Sequence, residues 1–175
     1  SNYGAKLLRK FDEKLSKLLQ FYLPDVKWLL WRFKKMESGF WTDTEVQKAF
    51  LNYLADSLGY EKPTDWYEVT LADFKKHGGA TLVRHYETMV DCITSLYPEY
   101  DLLPWKFTRA GRGFWDQDSN QRRFLLWAAD QLGFVEPRDF TNLTETNIED
   151  LGGITLLVKY DHSIAKAVLS LFPEW

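Results

Sequence analysis

Between positions 46 and 58 the apolar residues Val46, Ala49, Phe50, Tyr53, Leu54 and Leu58 recur at steps of three and four, with polar residues filling most intervals. That spacing lays one hydrophobic stripe along an α-helix, and Gly59 follows where a left-handed C-terminal cap is needed. Phe124, Leu125, Ala128 and Leu132 ahead of Gly133 repeat the statement. Thr70 with Asp73 three residues on reads as the capped start of a second helix, and Val69 is placed to staple onto Phe74. Thr144, Asn147, Leu143 and Ile148 take those places later in the chain. Gly78-Gly79 and Gly152-Gly153 predict turns into a third helix, carrying Leu82 and Tyr86 or Leu156 and Tyr160. A fourth helix is predicted over Met89, Ile93 and Leu96, closed by Tyr97-Pro98. The pattern predicts an all-α fold of about four short helices per unit.

The same sentence is written twice. Phe40 and Phe114, Trp41 and Trp115, Phe50 and Phe124, Gly59 and Gly133, Pro63 and Pro137, and Gly79 and Gly153 are each 74 residues apart, with no gap between them. Beyond the glycines, "GGATLVRHYETMVDCITSLYPEY" answers "GGITLLVKYDHSIAKAVLSLFPEW", the first being one residue shorter between its tyrosine and its proline. A partial copy opens the chain, where "LPDVKWLLWRFKKMESGFW" matches "YPEYDLLPWKFTRAGRGFW" in spacing. Repetition on this scale predicts a tandem repeat of stacked helical units sharing a continuous aromatic-rich core. The expected division is a truncated repeat over 1–41, a complete repeat over 42–115 and a second repeat, truncated at its C-terminal end, over 116–175. Further repeats are expected in the parent chain.

Composition sets the class. A chain of 175 residues with 45% hydrophobic and 17% aromatic side chains can bury a substantial core. With 27% charged residues and no apolar run of about 18 residues, it offers no membrane span. The opening "SNYGAKLLRK" lacks the apolar centre of a signal peptide. A soluble, intracellular protein is expected, and the lone Cys92 has no partner in the chain for a disulfide.

Catalytic signatures are sparse. His77, His85 and His162 align with Leu151, Lys159 and Thr88, so no histidine recurs as a ligand, and CxxC, HExxH and GxSxG are absent. No enzyme, metal site or cofactor is expected. The glycine pairs fit either a phosphate-binding helix start or a helix-to-helix turn; without GxxxxGK[ST] or a preceding strand, the turn is preferred. Asp65 and Asp139, each just after a proline, are expected to cap backbone amides rather than act as acids. The tryptophans could stack on bases, yet aromatics at helical spacing usually form core, with Trp31 and Trp105, beside basic residues, as the expected exposed exceptions.

Charge repeats more selectively. Arg32 and Lys106, Lys35 and Arg109, and Lys48 and Arg122 keep a base at matching positions, and Lys10 and Lys159 recur with His85 between them. Lys75-Lys76, by contrast, meets Glu149-Asp150. A base repeated beside aromatics suits a stripe that tracks a polyanion; the alternative is an ordinary solvated face. With 22 basic against 25 acidic residues the formal charge is −3, so any attraction for nucleic acid must be local.

The elements Gly-Gly, Tyr-Pro-Glu and Trp-Lys-Phe, in the order found here, resemble an aromatic-rich tandem helical repeat of predicted eukaryotic microbial proteins. The end "YDHSIAKAVLSLFPEW" is similar to helical repeats associated with homing endonucleases, differing in carrying Asp161-His162 where that pattern has Gly. The second resemblance implies helix-turn-helix-like contact with DNA. The leading expectation is therefore a non-catalytic module contacting nucleic acid through Arg32, Lys35, Lys48, Lys106, Arg109 and Arg122. The rival is a protein-interaction scaffold using the groove between repeats.

Overall fold

The computed structural model describes residues 2–11, 15–26, 28–33, 39–111 and 113–175. Every regular element among them is helical: α1 (Asn2–Arg9), α2 (Leu15–Tyr22), α3 (Thr44–Leu58), α4 (Leu71–His77), α5 (Met89–Leu96), α6 (Asp118–Gln131), α7 (Glu145–Asp150), α8 (Ile154–Val158) and α9 (Ile164–Leu171), joined by 3-10 turns. The chain divides into two compact units, Ser1–Gly59 with Leu71–His85, and Tyr60–Thr70 with Tyr86–Trp175.

In the first unit the stripe on α3 delivers Phe50 to full burial. Trp31 and Trp41 meet its ring edge-on at 5.5 and 5.6 Å, and Phe74 of α4 closes the cluster at 5.5 Å. The glycine pair after α4 exists for this ring. A Cβ on Gly79 would lie 2.2 Å from Cζ of Phe50, while Gly78 turns the chain at φ +96° with its own missing Cβ 3.2 Å from the Trp31 carbonyl oxygen. Side-chain amides complete the corner, Gln47 Nε2 donating to the Trp41 carbonyl at 2.5 Å and Trp41 Nε1 to Thr81 Oγ1 at 2.8 Å.

The second unit holds the same arrangement on α6. Phe124 is met by Trp105 at 5.5 Å and Trp115 at 5.3 Å. A Cβ on Gly153 would lie 2.1 Å from its Cζ, and Gly152 turns at φ +91° beneath the Trp105 carbonyl oxygen at 3.2 Å. Gln121 Nε2 donates to the Trp115 carbonyl at 2.7 Å. Each of these residues stands 74 positions after its counterpart. Around Phe124 the core continues through Phe140, Leu143, Ile148, Leu156, Leu171 and Phe172.

Two proline-led 3-10 turns, Pro63–Glu68 and Pro137–Asn142, follow the long helices. Proline fixes φ for the first position and needs no hydrogen-bond partner, and the aspartate two residues on satisfies amides the turn leaves open. Asp65 Oδ2 accepts from the N–H of Glu61 at 2.8 Å and of Lys62 at 2.9 Å; Asp139 Oδ2 accepts from Val135 and Glu136 at the same distances. Both aspartates are half-buried, and both carboxyls are held below the ordinary aspartate range, chiefly by the amide of Lys62 or Glu136 and then by that of Glu61 or Val135.

Three expectations are corrected. The third helix after Gly-Gly is a 3-10 turn, Val83–His85, in the first stretch, and only in the second is it an α-helix, α8. The extra residue decides this: Asp161 and His162 take left-handed conformations at φ 52° and 58°, and the His162 and Ser163 amides close back onto the Leu157 and Tyr160 carbonyls at 2.9 Å each. Trp31 and Trp105, expected outside, are 7% and 4% exposed, because their rings pack on Phe50 and Phe124 rather than on solvent. Trp115 is half-buried where Trp41 is buried. The indole N–H of both Trp31 and Trp105 is buried without a partner among the described residues, a cost of about 1–3 kcal/mol each that aromatic packing must offset. The cap on α7 forms as the spacing predicts, with Thr144 Oγ1 accepting from the Asn147 amide and Asn147 Oδ1 from the Thr144 amide, both at 3.1 Å.

The aspartate caps give a pH signature. Folding lowers the affinity of each carboxyl for a proton, so its stabilisation is complete above the unfolded value of about 3.9 and is lost as pH falls through the lower folded value. A chain carrying Asp65→Ala and Asp139→Ala should melt below the parent chain at neutral pH, and the gap should close between about pH 5 and about pH 2. A gap independent of pH in thermal melts would mean that these carboxylates do not cap.

Candidate nucleic-acid interface

The repeated bases are placed by the aromatic corners. Arg32 lies in the 3-10 turn Leu30–Arg32 just after buried Trp31, and Lys106 ends the turn Pro104–Lys106 just after buried Trp105. With the indole fixed inward, the next side chain is directed outward across the long helix. Arg32 lies over the ring of Tyr53 at 5.6 Å, and its Nη2 donates to the Tyr53 hydroxyl at 2.8 Å. Lys106 Nζ lies over the ring of Trp127 at 5.2 Å. Tyr53 and Trp127 are themselves 74 residues apart and half-buried, and each touches its buried indole, Trp31 or Trp105, at 5.5 or 5.2 Å. Each unit therefore carries an exposed cation resting on a half-exposed aromatic face.

The other bases differ in what holds them. Arg122 on α6 is a structural tie: Nη1 donates to the Leu171 carbonyl, Nη2 meets Glu174 Oε1 at 2.5 Å, and the guanidinium lies 4.5 Å from the centre of the Phe172 ring. The hydrogen bond from Arg122 in turn holds the Glu174 carboxyl below its ordinary range. Lys159 is engaged similarly, with Nζ 2.8 Å from both the Trp115 carbonyl and Asp116 Oδ1. Lys48 is half-buried on α3 and engaged with a neighbour. Arg109 is exposed in the bend after Phe107. Lys35 lies outside the described residues. Arg32 and Lys48 belong to the first unit, Lys106, Arg109 and Arg122 to the second.

One cation was missed by the sequence reasoning. Arg123 lies over the Trp105 ring at 5.6 Å, but its counterpart is Ala49, so a search for repeated charge passes over it. Tyr53 and Trp127 stand 74 residues apart, yet nothing in the spacing says that a base 21 residues upstream reaches each of them. Among the described residues no carboxylate pairs with Arg32, Lys106, Arg109 or Arg123. Each of these four cations is therefore open to an external anion.

No other chemistry gathers here. Among the described residues no group of His, Cys, Asp and Glu could hold a metal ion, and none of the helices is long and apolar enough to cross a membrane. Cys92 is buried on α5, and that burial, with Asp91 beside it, pushes the thiol up to about 12, far from a reactive thiolate. Comparison with protein-family models, with curated proteins and with solved structures returns no match.

The division between structural and open cations can be measured. Arg122→Ala should destabilise the fold by about 1–2 kcal/mol, since it removes charge-assisted hydrogen bonds to Leu171 and Glu174, whereas Arg109→Ala should stay within about 0.5 kcal/mol of the parent. Urea denaturation midpoints decide it, and equal shifts for the two variants would contradict the assignment.

Proposed function

We propose that this chain is a tandem helical-repeat module that contacts nucleic acid through its cation–aromatic pairs. The observation that carries the reading is the recurrence, 74 residues apart, of Arg32 on Tyr53 and Lys106 on Trp127, with no carboxylate of the described residues on either cation. A cation beside a half-exposed aromatic face meets both needs of a nucleic-acid ligand, a counter-charge for phosphate and a flat surface for a base. Arg123 and Arg109 add charge on the second unit. The formal charge of −3 removes long-range attraction, so contact is local and short-ranged. The resemblance of the C-terminal stretch to repeats associated with homing endonucleases makes duplex DNA the first probe, with a single strand beside it.

Fluorescence anisotropy with a labelled duplex and a labelled single strand tests the reading across a salt series. Affinity should fall steeply with rising salt, because each neutralised phosphate releases condensed counterions. Arg32→Glu with Lys106→Glu should weaken binding to all sequences and flatten the salt slope by roughly one unit per lost contact. Lys75→Glu with Lys76→Glu, at positions where the second stretch already has Glu149 and Asp150, should change little. Absence of binding at about 50 mM salt, where such contacts are strongest, would overturn the proposal.

A further inference from the structure

The two units do not offer a nucleic acid the same surface. In the second, Lys106 Nζ lies 5.2 Å from the centre of the Trp127 ring. Arg123 stands four residues before Trp127 on the same face of α6, its guanidinium 5.6 Å from the centre of the Trp105 ring. Trp105 and Phe124 back the Trp127 indole at 5.2 and 6.0 Å, so the ring is fixed while part of it stays in water. In the first unit the positions 74 residues earlier hold less: Ala49 takes the place of Arg123, and the smaller ring of Tyr53 that of Trp127. Arg32 is engaged there with the Tyr53 hydroxyl, its Nη2 donating at 2.8 Å.

What such a surface recognises follows from where the faces of the bases are. In a duplex they are stacked on one another, and a protein reads base edges, commonly from a helix laid in the major groove between phosphate ridges. Neither long helix suits that task. The exposed positions of α6 set Asp118 and Asp130 against the one cation Arg123, and those of α3 carry Glu45 and Asp56 with no cation at all. An unpaired base, by contrast, presents its whole face, and a fixed indole with cations beside it holds face and phosphate together.

On the footing of the nucleic-acid reading, we propose that the second unit is a platform for single-stranded nucleic acid, on which one unpaired base stacks against Trp127 while Lys106 and Arg123 meet the phosphates beside it. Lys106 covers the ring with the end of a flexible stem, through a cation–π contact that is weaker at an exposed site than a stacked base. An arriving base moves that ammonium from the ring to the phosphate. DNA and RNA strands both supply this chemistry, a base face with its phosphate.

Fluorescence anisotropy of the full chain with a labelled dT strand and a labelled U strand of about ten nucleotides, beside a duplex of equal length, reads the difference. At least one strand should bind at least about tenfold more tightly than the duplex, and the tighter of the two names the sugar accepted. Charge alone gives the opposite order, because the duplex carries about twice the phosphate per length. Trp127→Leu should weaken strand binding about tenfold without changing the salt slope, since a stack is uncharged, and Trp127→Phe should recover part of the loss. Arg123→Ala, which installs the residue used at 49, should flatten the slope by about one unit and leave the melting temperature unchanged. Tyr53→Leu should cost less affinity than Trp127→Leu. Should Trp127→Leu melt early, the order of strand and duplex and the Arg123→Ala slope decide. Duplex binding as tight as that of both strands, a salt slope untouched by Arg123→Ala, or indifference to Trp127→Leu in a chain that melts normally would overturn the platform and leave the nucleic-acid reading standing. So would a larger loss from Tyr53→Leu. No binding to any of the three at about 50 mM salt would overturn both.

Discussion

A phenylalanine ring set against a residue without a side chain is the contact from which the rest of each unit is arranged. Phe50 over Gly79 and Phe124 over Gly153 leave no room for even a methyl group at the glycine. The approach brings the turn after α4 or α7 onto the middle of the long helix, and the first glycine of each pair, Gly78 or Gly152, supplies the positive φ that reverses the chain there. Tryptophans then stand edge-on around the same ring, each such pair adding about 0.5–1.5 kcal/mol beyond its buried area. Short helices of six or seven residues, such as α4 and α7, are not stable alone. Their stability comes from this packing.

The polar groups follow from the same geometry. Bringing the Trp41 and Trp115 backbone inside leaves carbonyls that need donors, and Gln47 and Gln121, buried on the facing helix, provide them. Fixing Trp31 and Trp105 inward directs Arg32 and Lys106 outward onto Tyr53 and Trp127. The candidate interface is thus a by-product of core packing: each cation is held over its ring because the residue before it is anchored. Arg122, although its charge recurs, is drawn the other way, toward the end of α9, by Glu174 and Phe172.

Much of this was legible because the determining residues are written with strong local rules. The α3 stripe with Gly59, the Thr144–Asn147 cap and the proline–aspartate turns each declare themselves within a few residues, and the all-α class follows. What was illegible depends on contacts across tens of residues. Hydrophobic spacing cannot show that Trp31 packs on Phe50, so a tryptophan beside a base reads as exposed when it is buried. Nor can charge recurrence separate Arg32, which lies on an aromatic face, from Arg122, which is neutralised by Glu174 some 52 residues away. The failed third helix has a different cause: one residue more or fewer between Tyr86 and Thr88, or Tyr160 and Ser163, decides between a 3-10 turn and α8.

The central claim, that Phe124 occupies the space a side chain at position 153 would need, is open to a double-mutant cycle on chemical denaturation. Gly153→Ala alone should destabilise by about 1–3 kcal/mol through overpacking, and Phe124→Leu alone by the loss of buried ring. In the Phe124→Leu background the smaller side chain makes room for the methyl group, so Gly153→Ala should cost at least about 1 kcal/mol less than it does in the parent chain, a coupling within the range for contacting residues. Effects that add to within about 0.3–0.5 kcal/mol, as for distant sites, would contradict the account.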